Sequence, residues 1–218
     1  MLKLYFNRRD DVLTFSKKSK VEEQTLIFGF NGIKKIYYKK ELSGEDNILS
    51  SIANFSKKSQ KLIISGAITD NYGIIRKSVV IAEDGKLLGI SDMNLCLDKS
   101  PYSSGVGYRV YQTKIGRVGV IVDDDIIDID GVKSMAQCGA DLIICLISEE
   151  EKSQYNVLVR AYSFLFGLPI VIVSSSSVMA GDMTGEICGA SRNEESRIIV
   201  PMRKNYRLCQ TKKRGVKI

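Results

Sequence analysis

Apolar residues recur along the chain in two rhythms. Residues 118–122 and 142–147 are short, mostly β-branched apolar runs, the pattern of strands covered on both faces. Between them Ile126, Ile129, Val132, Met135 and Ala136 recur at roughly helical spacing, with Asp128 and Asp130 suited to a helix start and Gly139 to the position past its end. This predicts a strand, a crossover helix and a parallel strand. A second such unit is predicted from the amphipathic stretch 47–55, with Ile48, Leu49, Ile52 and Phe55 on one face, leading into a strand over 61–65. Leu2, Leu4 and Phe6 alternate with polar residues as a first strand over 1–7, and 25–28 is the next; 17–24 is too polar and too short for a well-buried helix. Residues 77–82 and 86–90, joined by Glu83-Asp84-Gly85, predict a hairpin. A helix over 155–166 and strands over 169–173 and 197–200 complete an α/β pattern.

Length and composition keep this pattern in one unit. A chain of 218 residues, 44% of them hydrophobic, supplies one sizeable domain, placed at 1–202. Its five cysteines are odd in number, widely spaced and without a C-x-x-C, so neither a disulfide framework nor a zinc site is indicated, and a cytoplasmic location fits. No apolar leader opens the chain, and the most apolar span, 157–173, is interrupted by Arg160 and Pro169, so no membrane association is expected. Seven of the 32 basic residues lie in an arm over 203–218 that carries no acid, and the rest balance the 25 acids. With no tryptophan, no histidine and no RNA-binding aromatic motif, the arm is expected to give weak, non-specific nucleic-acid binding at most. The absence of histidine also removes the commonest general base and metal ligand, so any chemistry falls to Asp, Glu, Lys, Cys or Tyr.

Ligands of α/β proteins gather where strands end and crossovers begin, and Asp123, Asp124 and Asp125 stand there. If the chain stays extended, Asp123 and Asp125 share a face and could bind Mg²⁺ or Ca²⁺ with Glu149 or Glu150 from the neighbouring strand end. Capping of the following helix is the simpler account and the one favoured here, so no metal and no cofactor is expected.

Gly119, Asp123 and Asp125, followed by Gly139-Ala140-Asp141, keep the spacing of a Gly-x-x-x-Cys-x-Asp strand, a helix and a Gly-Ala-Asp. In this the chain resembles the nitrilase, or carbon–nitrogen hydrolase, superfamily. Gly105, Thr113 and Gly116 match the segment entering that strand, Arg160-Ala161 a later helix motif, and Gly189-Ala190-Ser191-Arg192 a Gly-x-Ser turn; Ser174 to Ser177 fill a loop where an Asn usually stands. The resemblance runs from about residue 25 to 200 and implies a four-layer α-β-β-α sandwich. It also implies a homodimer paired through 131–138 and 155–166, with Tyr162, Phe164 and Phe166 exposed on the separate chain.

The same resemblance assigns the catalytic positions. Asp123 stands for the cysteine nucleophile, Phe30 for the glutamate base after Gly29 in place of a proline, and Met93, eight residues after Gly85, for the lysine that steadies the oxyanion. An aspartate nucleophile would have to form a mixed anhydride from an amide, an intermediate more reactive than the substrate. The implied protein is therefore catalytically inactive, with a cleft around Phe30, Met93, Asp123, Asp125 and Glu149 reused for a small-molecule ligand or a partner. One alternative is an active amidase with a displaced nucleophile such as Cys145, its base and lysine rescued by Glu22 or Glu23 and by Lys86 or Lys99. Another is a dimeric interaction or scaffold protein.

Overall fold

Alternation in the strands and helical spacing between them sort the side chains onto faces that pack as four layers. A computed structural model describes residues 1–16, 21–96, 100–150 and 152–202. In chain order these form β1 (Leu2–Asn7), α1 (Val12–Phe15), β2 (Thr25–Phe28), β3 (Ile36–Tyr37), α2 (Tyr38–Ser43), α3 (Ile48–Ser59), β4 (Leu62–Asn71), β5 (Ile74–Glu83) and β6 (Lys86–Asp92). They continue with β7 (Arg109–Thr113), β8 (Gly116–Val122), α4 (Ile129–Gln137), β9 (Leu142–Leu146), α5 (Ser153–Phe166), β10 (Ile170–Val173), β11 (Val178–Gly181), β12 (Ile187–Ser191) and β13 (Glu195–Val200). The basic arm expected over 203–218, and Lys99, lie outside the described residues.

One sheet has the order β13-β1-β2-β4-β5-β6, with β3 added to the far end of β4, and the other β12-β11-β10-β9-β8-β7. β1, β2 and β4 run parallel, as do β8, β9 and β10. The inner faces, including Phe6, Ile64 and Val79 on one sheet and Val120, Leu146 and Val173 on the other, meet in a shared core. The outer faces are covered by helices: α1 and α3 lie over Leu26, Phe28 and Ile63, and α4 and α5 over Ile121, Ile143 and Ile172. Each such side chain, fully buried, contributes about 1.5–3 kcal/mol, and a one-residue register slip would exchange the two faces of a strand. The fold is thus the α-β-β-α sandwich expected. Asp128 caps α4 by accepting from the Asp130 amide at 3.0 Å, and Gly139 follows at φ +83.

Several local expectations need correction. The strand begun at 61–65 continues to Asn71 and returns as β5 through Tyr72-Gly73, both at positive φ (53° and 90°), the hairpin turn that matches strand twist. Residues 189–191 are not a turn but part of β12, paired with β11, and the turn falls after Ser191. Gly189 is needed for close approach, since a Cβ there would sit 2.5 Å from Ile198 Cγ2 of β13. Tyr162 and Phe166 are not exposed: α5 turns both rings into the core, 5.9 Å apart, and leaves Phe164 (48% exposed) and Val157 (65%) outward. Among the described residues no helix is long and apolar enough to cross a membrane.

Candidate functional site

The parallel strands bring the ends of β2, β8, β9 and β10 to one end of the sandwich. β8 stops at Val122, and the chain enters a 3₁₀ turn over Asp123–Ile127 before α4. Asp123 opens the turn at φ +52, a left-handed conformation in which Asp is among the few tolerated L-residues.

Because this segment coils, its three acids point three ways, and Asp123 and Asp125 do not share a face as an extended chain would require. The Asp123 side chain, 4% exposed, turns between the sheets toward Lys77 of β5, itself 14% exposed. Lys77 Nζ donates to Asp123 Oδ2 and, at 2.8 Å, to Ser148 Oγ, while Ser148 donates to the same Oδ2 at 2.6 Å. The Tyr102 ring centroid lies 5.1 Å from the ammonium. Asp124 faces α5, accepting from Tyr155 Oη at 3.1 Å and Lys152 Nζ at 3.4 Å. Burial first, and then Asp124, push the Tyr155 phenol well above its ordinary range. Asp125 is buried and accepts from the amides of Asn94 and Leu95, at 2.8 and 2.6 Å, and from Asn94 Nδ2 at 3.2 Å. It thereby pins the loop after β6, and burial pushes its carboxyl up to about 6 against the pull of those donors. Glu149 is largely exposed, 3.9 Å from Lys152, so it does not join Asp123 or Asp125. Among the described residues no group of three or more Cys, Asp or Glu is placed to hold a metal ion.

Phe30 and Met93 are both buried in the inter-sheet core. Phe30 starts a short turn directly after β2 and packs on Gly66, where a Cβ would come within 2.4 Å of its Cα. Met93 donates its amide to the Lys77 carbonyl at 2.9 Å. Lys77, the residue directly across from Met93 on the neighbouring strand, brings a cation to this end of the sandwich. The sequence carried part of the signal: pairing outward from Asp84-Gly85 sets Glu83 opposite Lys86, but only the bulge at Ile81/Ala82, which the sequence does not mark, sets Ser78 opposite Asp92 and brings Lys77 level with Met93.

Of the residues considered as rescues, Glu23, Lys86 and Cys145 lie elsewhere. Glu23 precedes β2, at the opposite end of the sheet, and pairs with Arg197 at 2.6 Å. Lys86 opens β6 at the remote hairpin turn. Cys145 is fully buried and shares the outer face of its sheet with Ile121 and Ile172, beneath α4 and α5 rather than between the sheets. Its Sγ lies 3.8 Å from the main-chain carbonyl of Asp123. Burial, reinforced by the nearby aspartates, raises this thiol well above its ordinary pKa, the reverse of activation. Arg8, following β1, ties the two sheets together at this end by donating to the carbonyls of Ser175, Arg192 and Asn193.

No protein-family model and no curated protein sequence matches the chain. Solved structures do. A carbon–nitrogen hydrolase from Helicobacter pylori G27 superposes with a TM-score of 0.70 at 16% identity, over 90% of this chain and 87% of that one. A variant of the amidase from Nesterenkonia sp. AN1, with acrylamide added at its active-site cysteine, gives 0.75 at 12% identity, over 98% and 97%. Saccharomyces cerevisiae Nit3, of branch 10 of the nitrilase superfamily, gives 0.71 at 14%, over 90% and 88%. At these identities the likeness establishes the fold, which is that of the nitrilase-superfamily carbon–nitrogen hydrolases.

Proposed function

We propose that this chain is a catalytically silent, cytoplasmic member of the nitrilase superfamily whose cleft serves binding rather than hydrolysis. The observation carrying this reading is the ion pair at the end of β8. A carboxylate held by Lys77 and Ser148 is a poor nucleophile, and Phe30 offers no base. Cys145, facing the helices with a raised pKa, gives the displaced-nucleophile alternative little support. Against a panel of amides and nitriles, ammonia release is expected to stay at the buffer blank. Brief alkylation is expected to reach buried Cys145 only after unfolding. Ammonia release that disappears in Cys145→Ala would sink the reading.

The working form is a homodimer paired through α4 and α5, in keeping with the outward Val157 and Phe164, which with Ala161 and Arg160 line a shallow groove on α5. Sedimentation at micromolar concentration is expected to give a dimer, and Phe164→Glu to weaken it by about 2 kcal/mol, roughly 30-fold. A wild-type monomer would contradict this. Residues 1–202 act as the single domain, and the arm beyond adds only weak, salt-sensitive attraction to nucleic acid.

A further inference from the structure

We propose that Lys77 and Ser148 form a carboxylate-binding site at the end of β8, and that the side chain of Asp123 fills it as a built-in ligand. A cation and a hydroxyl donor converge on one oxygen, Asp123 Oδ2, Ser148 from 2.6 Å. Lys77 also donates to Ser148 at 2.8 Å, which fixes the hydroxyl as acceptor from the ammonium and donor to the carboxylate. Tyr102 closes over the ammonium at 5.1 Å, and the backbone of Met93 anchors Lys77 from the next strand. The charge, the donor direction and the low exposure of both ion-pair partners suit a single small carboxylate, with little room for water to compete.

The occupant is tethered by one residue in a conformation that glycine adopts freely, φ +52, so Asp123→Gly removes the ligand without straining the backbone. An uncompensated Lys77 ammonium then faces a cavity the size of a carboxymethyl group. The inference rests on the proposed reading of the cleft for its bearing on the wild-type protein, in which Asp123 keeps this corner of the cleft occupied. The site itself is tested apart from catalysis, which the ammonia assay addresses.

The experiment compares denaturant unfolding of wild type, Asp123→Gly and Asp123→Gly/Lys77→Met in sodium acetate, sodium chloride and acetamide at matched concentrations. Acetate is expected to stabilise Asp123→Gly saturably, lowering its unfolding equilibrium constant about ten-fold when present at ten times its Kd. Chloride and acetamide, lacking a carboxylate, are expected to leave it unchanged, and wild type and the double variant to show no acetate-specific response. Should Asp123→Gly not fold in plain buffer, its refolding yield with and without acetate reads the same effect, and Asp123→Ser provides a second, shorter side chain. Equal responses to acetate and chloride, or an acetate response that persists without Lys77, would overturn the proposal.

Discussion

Lys77→Met is expected to destabilise the protein by about 3–5 kcal/mol, the usual effect of stripping the partner from a buried charge. Asp123 would be left without its cation in a place it shares with water only marginally, with Ser148 as its remaining donor. Adding Asp123→Asn in the same chain is expected to recover most of the loss, because a neutral carboxamide keeps the shape and still accepts from Ser148. With Asp123→Asn alone as the fourth corner, the complete cycle in urea unfolding isolates the coupling. A single variant within about 1 kcal/mol of wild type would mean that the ion pair is solvated and contributes little.

The second large effect concerns Asp125 and pH. Its folded-state carboxyl, pushed by burial to about 6, lies above the value near 3.9 of an unfolded aspartate. The native state therefore holds this proton more tightly, so the stabilising contribution is complete below the unfolded pKa and is lost as pH rises through about 6. The displacement from near 3.9 to about 6 corresponds to roughly 2–3 kcal/mol between pH 4 and pH 7. Asp125→Asn is expected to remove this component, so subtracting the stability profile of the variant from that of wild type should give a curve falling over that window. Above about pH 6 the variant should also lose about 1–3 kcal/mol of hydrogen bonding, because there the wild-type carboxylate accepts at both oxygens while the variant's amide NH₂ meets one of the Asn94 and Leu95 N–H groups donor to donor. A flat difference curve would refute the assignment.

The sandwich was legible because its information is local. β-branched runs, an Asp-Gly turn and amphipathic helices each announce themselves within a few residues, and β2 falls where the pattern set it, at Thr25–Phe28. What escaped were features set by pairing and direction. Lys77 reads as an ordinary strand residue until β5 and β6 are aligned, and its role depends on a bulge that no local pattern marks. The three aspartates, favoured as caps of the following helix, leave that role to Asp128. Whether Asp123 and Asp125 agree in direction depends on whether the chain is extended or coiled after β8, which Val122 and Asp123 do not disclose. Tyr162 and Phe166 went astray through the rotation of α5 about its axis. An aromatic-rich helix shows that a face is apolar but not how much of it its own sheet covers.

β13 pairs antiparallel with β1 along its whole length, Leu2 against Val200 through Asn7 against Glu195. During synthesis β1 therefore emerges from the ribosome long before β13, and waits through the making of the other described strands with one hydrogen-bonding edge open. Closing a contact of such sequence separation is slow. An open edge is also where nascent chains stick to one another or are held by chaperones. Completion of this sheet therefore waits on β13, and a nascent chain stalled anywhere before Glu195 would display β1 as an unpaired edge however well the second sheet had formed.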